Sequence, residues 1–389
     1  MLAHIPEGWI GDIFHGGKKQ GLIAQKYRTY CKHMLKILAA KLQKKSAQKA
    51  ILGMTWANGQ KTLLLLPFRT RGFHDYMNNY LSKFRDFVSG SSAWYKLLFV
   101  CFLVLVFFIL TGILGLVTVM ISNNLTMQEA ASVLSNPGPA DIHVLKLSQA
   151  LQTIGLFIGT AWLAAFFLSP AAGTYLKIKY KPSFFSLFLV VLSMITWIPT
   201  INFAAGINAR LNLPESMDLV ENEMEALRNS YNQLTELFLN TGSVTDFLVN
   251  ILVMAILPAL GEELLFRGVF QRLLTEWTRN IHWGILLAAL LFSFFHFEFF
   301  GFLLRFLLGV FFGYLFAWTS SIWVPILAHF TNNFIIVCYS FYKEPTTGPS
   351  PIEELGTHAD LFLWISLAGG ILASALLLYH EKSRRFSGK

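Results

Sequence analysis

Charge is what this sequence has least of: 14% of its 389 residues are Asp, Glu, Lys or Arg, against about 25% in soluble domains. So few charges cannot clothe a water-facing surface of this size. The apolar share is 54%, with 36 phenylalanines and 10 tryptophans, and mean hydropathy is +0.52. The composition specifies a polytopic membrane protein.

Acidic residues are scarcest at the start. Residues 1–76 hold 13 Lys/Arg against 3 Asp/Glu, a balance of +10; the whole chain sums to +9, so the remainder sums to −1. The basic excess is an N-terminal tail, not a stripe on a folded domain. With no nucleic-acid motif beside it, nucleic acid is excluded as a partner. Cysteine is also scarce. Cys31, Cys101 and Cys338 are odd in number and widely spaced, which excludes a disulfide framework and leaves no zinc motif. No cleavable signal peptide is evident: the first apolar run, Thr62 to Phe68, is too short for an h-region and too far from the start.

Long apolar runs are plentiful. Crossing a bilayer takes roughly 20 apolar residues as a helix, and eight stretches qualify: Leu97–Ile121, Leu151–Leu168, Phe184–Phe203, Phe247–Phe266, Trp283–Phe297, Phe302–Trp318, Val324–Phe341 and Leu361–Tyr379. The fifth and sixth are short and need tilt or burial. Lys and Arg gather before Leu97, at Lys177, Lys179 and Lys181, at Arg272 and Arg279, and after Tyr379. The expected fold is therefore an all-α bundle of about eight transmembrane helices with both termini cytoplasmic.

Four regions follow. Residues 1–96 form a basic cytoplasmic extension; its part before Met77 reads as a tail drawn to anionic lipid, or as a poorly ordered addition from an upstream start codon. Residues 97–244 supply accessory helices and an outer loop, in which Met217–Leu239 has apolar residues at helical spacing among acids. Residues 245–341 form a polar-centred core, and 342–389 a last span with a basic tail.

Ionisable residues inside apolar spans are costly and mark function, and here they cluster in the last third. Glu262-Glu263-Leu264-Leu265-Phe266-Arg267 sits at the expected cytoplasmic end of the fourth span. Glu263 and Arg267 are spaced i,i+4 and face one another, while Glu262 points about 100° away. One carboxylate is thus paired and the other left to a cavity, as a water-activating base requires. Pro258 lacks an N–H and bends the helix one turn above, and Gly261 permits close backbone approach.

Phe292 and His296 share a face of the next span, and His329 and Asn333 a face of the seventh. Three helices thus present polar groups inside apolar surroundings. An activated water needs a base and its tetrahedral intermediate fixed donors, which Glu, two His and Asn supply. Taken singly, an intramembrane His is more often a packed residue, and Glu263–Arg267 a structural ion pair.

Together, Glu-Glu-x-x-Phe-Arg, Phe-x-x-x-His and His-x-x-x-Asn on successive spans resemble the CPBP family, the type II CAAX prenyl endopeptidases with their bacterial relatives in bacteriocin processing and immunity. The likeness runs from Phe247 to Phe341, with Gly268 after the arginine. It implies an intramembrane endopeptidase acting on membrane-associated, CAAX-like peptides, in the inner membrane of a bacterium. Residue by residue, it makes Glu262 the water-activating glutamate and Glu263 with Arg267 a structural pair beside Phe292. His296 helps bind that water, and His329 with Asn333 stabilises the oxyanion.

The family admits two chemistries, a metal-free glutamate mechanism and a metalloprotease. In the second, Glu262, His296 and His329 would hold one divalent ion such as zinc, with water in the fourth position, although no His-Glu-x-x-His helix is present. Two other classes compete: a non-catalytic immunity or scaffold protein of the same fold, and a transporter, for which no repeat or paired broken helices appear. Depth is the difficulty. Counting rise per residue puts His296 about 10–15 Å further across the membrane than Glu262 and His329, unless the fifth span starts below the membrane plane or tilts steeply.

Overall fold

The computed structural model describes residues 71–208, 215–240, 242–296, 299–342 and 360–387; the basic stretch before Arg71, including Cys31, lies outside them. Contacts group Met1–Phe73 apart from His74–Lys389. The helices that matter here belong to the second group.

All regular structure among the described residues is helical. After α1 (Arg71–Ser89) come α2 (Ala93–Asn123), α3 (Met127–Ser135), α4 (Pro139–Leu168), the one-turn α5 (Ala172–Tyr175), α6 (Phe184–Asn208) and α7 (Asp218–Leu239). Then follow α8 (Val244–Thr278), α9 (Ile281–Phe294), α10 (Phe302–Thr319), α11 (Trp323–Tyr342) and α12 (Leu361–Ser387). The helical spacing at Met217–Leu239 is borne out as α7.

Seven of these helices are long and apolar enough to cross a membrane: α2, α4, α6, α8, α10, α11 and α12. The fifth expected span, Trp283–Phe297, falls below that length. Its helix, α9, has 14 residues, about 21 Å at 1.5 Å per residue, short of the ~30 Å hydrocarbon core. The fourth span is corrected in the other direction. α8 runs 35 residues, past Phe266 and through Arg267 and Gln271, both of which are buried.

α8 is not a uniform helix. It widens into π-turns at Ile251–Ile256 and Phe266–Phe270, the kind of bulge that recurs at functional sites. The first immediately precedes Pro258. There Leu257 N–H reaches back to Leu252 O, so the local pattern shifts to i,i+5 where the proline would interrupt it. α4 carries its own π segment, Thr153–Gly159, packed against Gly261: a Cβ there would stand 2.9 Å from Phe157 and 3.3 Å from Ile158. Gly268 serves the same end, with Leu176 2.9 Å from where its Cβ would be. Beside it Arg272 lies over the Tyr175 ring at 4.0 Å, and burial pushes the Tyr175 phenol up to about 12.

α6 and α12 pair through hydroxyls at near-heptad steps. Ser186 donates to Glu381, Ser193 meets Ser374 at 3.1 Å and Thr200 meets Ser366 at 2.7 Å. Such bonds hold helices together where lipid removes the hydrophobic drive between them.

Candidate active site

Glu262 and Glu263 lie in the turn of α8 just before its second π-turn, and Arg267 lies within that π-turn. Glu263 is 0% and Arg267 1% exposed. Arg267 Nη1 donates to Glu263 Oε1 at 2.7 Å, and Nη2 to the Gly309 carbonyl at 3.1 Å. Its guanidinium lies over Phe292 at 4.7 Å and Phe312 at 5.4 Å. Gly309 can receive it because α9 and α10 touch there: a Cβ on Gly309 would be 3.0 Å from Ala289. One turn on, Gln271 makes the matching bond to the Gly313 carbonyl at 3.1 Å.

His329, 6% exposed on α11, meets Glu263 Oε1 through Nδ1 at 2.9 Å. A carboxylate only accepts, so Nδ1 carries the proton. Phe312 stacks on the imidazole at 5.3 Å, and Phe292 stands edge-on at 6.0 Å. Nε2 is thereby aimed at Glu262, 3.9 Å from its Oε2.

His296 lies just past the end of α9. Its Nδ1 donates to the Phe292 carbonyl at 2.8 Å, the Phe292 ring is 4.9 Å away, and Nε2 stands 4.0 Å from the same Glu262 oxygen. The expected gap of 10–15 Å is therefore absent. The reason is length: α9 stops within the bundle, and Glu262 lies mid-way along a helix of 35 residues, not at its end.

Glu262 Oε2 is buried with no hydrogen-bond partner, between two Nε2 atoms too distant for direct bonds. Asn333 follows His329 by one turn on the same face, and its Oδ1 accepts from Asn332 Nδ2 at 3.2 Å. Its link to the others is the shared helix. The structure thus brings Glu262, Glu263, Arg267, Phe292, His296 and His329 together.

Two residues escaped sequence reasoning. Phe312 sandwiches His329 and Arg267, but a phenylalanine among many carries no signal. Arg305, on α10, is the lone charged residue of Phe302–Thr319. An intramembrane charge is a flag, and the Gly309-x-x-x-Gly313 spacing beside it marks close helix approach.

The donor types suit zinc, since anchored Nδ1 groups usually orient metal-binding imidazoles. The spacing does not. Ligands 2.0–2.1 Å from a tetrahedral ion stand roughly 3.3 Å apart, against 3.9 and 4.0 Å here. Among the described residues no group of three or more His, Cys, Asp or Glu is arranged to hold a metal.

Residues 244–335 match the family model described as type II CAAX prenyl endopeptidase Rce1-like, about a quarter of the chain. "Uncharacterized protein YpbD" of Bacillus subtilis (strain 168) is 31% identical over 93 residues, 23% of this chain and 44% of that protein. "Putative membrane peptidase YdiL" of the same organism is 32% identical over 128 residues, 32% of this chain and 50% of that protein. The chain thus spans half or less of the length of these curated relatives. No solved structure matches. The family resemblance carried by the three motifs is borne out over the matched residues.

Proposed function

We propose that this multi-pass membrane protein, with an Rce1-like segment at residues 244–335, is an intramembrane endopeptidase whose base is Glu262. One observation carries the reading. Glu262 Oε2 is buried, has no hydrogen-bond partner, and stands 4.0 and 3.9 Å from the Nε2 atoms of His296 and His329. A water at ordinary hydrogen-bond lengths bridges gaps of that size.

Glu262 takes a proton from this water as its oxygen attacks the peptide carbonyl carbon. As an imidazolium, with its Nδ1–H held by Glu263, His329 donates from Nε2–H to the oxyanion, with Asn333 as the second donor. His296, fixed by the Phe292 carbonyl, orients the water. Glu262 then passes its proton to the amide nitrogen as the C–N bond breaks, leaving a carboxylic acid and an amine. Glu263 and Arg267 hold α8 and α10 in register and do not touch the substrate. No step is routed through a metal. Chelation of divalent ions is expected to leave turnover unchanged; a loss reversed by zinc would make Glu262 and the histidines ligands.

The substrates under this reading are peptides anchored at the membrane, CAAX-like sequences among them, and the enzyme resides in the cytoplasmic membrane of a bacterium. The relative described as a membrane peptidase supports the reaction class. The test is Glu262→Gln in purified protein, assayed on a panel of membrane-anchored peptides. Turnover should fall by about 10²–10⁴-fold with the melting temperature kept. Retained cleavage would sink the peptidase and favour a scaffold of the same fold.

A further inference from the structure

The segment from Ser169 to Ser183, which leads into α6, carries Lys177, Lys179 and Lys181 and no acid. Its backbone is tied down at three carbonyls. Arg272 donates to Tyr175 O, Trp323 Nε1 to Ile178 O at 2.8 Å, and Ser321 Oγ to Tyr180 O at 2.5 Å. The Lys177 ammonium lies over the Tyr180 ring at 4.3 Å. Lys179 and Lys181 are exposed, each on backbone held in place by these bonds.

The end of α12 meets the start of α6 there. Ser183 Oγ stands 3.0 Å from His380 Nε2, Ser186 donates to Glu381, and Phe185 is edge-on to the His380 ring at 4.9 Å. Lys181 lies two residues before Ser183, and Lys382, also exposed, two residues after His380. The two lysines therefore flank one contact. Glu381, the acid beside it, is buried and engaged by Ser186 and Arg384. None of the ion pairs of the described residues involves Lys179, Lys181 or Lys382.

Next to these cations the start of α6 is apolar and bare. Phe184 is 86% and Phe188 54% exposed, one turn apart on the helix. Lysine at one end of a membrane bundle is general. Fixed cations above an exposed aromatic wall are more particular. A free phosphate leaves that wall uncovered, and the ammonium of a zwitterionic headgroup would stand among cations. A lipid of net negative charge suits both parts.

We propose that this end of the α6–α12 seam binds an anionic phospholipid, its phosphodiester among Lys179, Lys181 and Lys382 and its acyl chains along Phe184 and Phe188. The site is independent of the peptidase reading.

The test titrates the purified full chain in detergent with dioleoylphosphatidylglycerol or dioleoylphosphatidylcholine and counts bound lipid by native mass spectrometry. Phosphatidylglycerol should bind about tenfold tighter or more. A lysine near an anionic lipid is worth about fivefold in affinity, so Lys181→Gln/Lys382→Gln should weaken phosphatidylglycerol on the order of 20-fold and leave phosphatidylcholine unchanged. Lys83→Gln/Arg279→Gln removes as much charge from other exposed positions and should change neither lipid by more than about twofold. Phe184→Ser/Phe188→Ser should weaken phosphatidylglycerol several-fold, and inorganic phosphate at the lipid's concentration should not displace it.

Equal binding of the two lipids, or equal losses in the two charge variants, overturns the site and leaves a diffuse surface potential. Unaltered binding in the phenylalanine variant, or displacement by phosphate, overturns the lipid as occupant. If Lys181→Gln/Lys382→Gln does not fold, Lys382→Gln alone decides: a loss of about fivefold supports the site, and no loss overturns it.

Discussion

Replacing Arg267 with methionine isolates the ion pair under the site. The change keeps an unbranched apolar stem and removes the guanidinium, with its bonds to Glu263 Oε1 (2.7 Å) and the Gly309 carbonyl (3.1 Å). It also removes the stacking over Phe292 and Phe312. Glu263, 0% exposed, then keeps only His329 among the partners described above. Breaking one side of a buried pair costs about 3–5 kcal/mol, and the lost cation–π contact about 1 kcal/mol more. At roughly 2 °C per kcal/mol for a chain of this size, the melting temperature in detergent should fall by on the order of 10 °C. The double variant Glu263→Leu/Arg267→Met removes both charges, so it should be more stable than Arg267→Met alone by about 2 kcal/mol or more. Thermal scans at one fixed heating rate, read by tryptophan fluorescence, make the comparison. An Arg267→Met protein that melts with wild type, or a double variant no better than the single, would refute the account of this pair as a buried, mutually dependent unit.

Three further outcomes are expected. Gly309→Ala places a methyl 3.0 Å from Ala289 Cβ and 3.1 Å from its Cα; it should destabilise by about 1–3 kcal/mol, and Ala289→Gly in the same chain should recover part of that. In the α6–α12 pair, a double-mutant cycle of Ser193→Ala and Ser374→Ala should give a coupling of about 0.6 kcal/mol, and no coupling would make their 3.1 Å contact incidental. At α3, backbone and side-chain hydrogen bonds from Thr126 hold the Glu129 carboxyl below its ordinary value. A group depressed in the folded state stabilises above its unfolded pKa and loses that contribution as pH falls through the folded one. Amide exchange in Met127–Ser135 should therefore quicken on acidification through the carboxylate range. Thr126→Val should show faster exchange already at neutral pH, consistent with a cap worth about 1 kcal/mol.

The helical class, the apolar spans and the chemistry-bearing residues were legible because they are local properties. A run of about 20 apolar residues can satisfy its backbone in lipid only as a helix. A charge inside such a run stands out wherever the run folds. The i,i+4 rule likewise brought Glu263 to Arg267 and Phe292 to His296 before any tertiary contact was known. Where the helices stop was not legible. The apolar run of the fourth span stops at Phe266, yet the helix continues through Arg267 and Gln271; both are buried, held by carbonyls of Gly309 and Gly313. Those acceptors lie 42 residues away, and no window over α8 contains them.

The same limit explains the depth problem at His296 and the omission of Arg305. Rise per residue converts sequence to height only if each span is long enough to cross the membrane, and α9, with 14 residues, is about 21 Å long. By itself the sequence determined that this is a bundle of membrane helices with carboxylate, imidazole and amide groups on three of them, since those facts depend on residue type and spacing. Only the tertiary structure decided that two imidazoles from different helices converge within 4.0 Å of one glutamate oxygen. That convergence is set by helix ends and by glycine contacts between neighbours, which are properties of pairs of helices and of no single one.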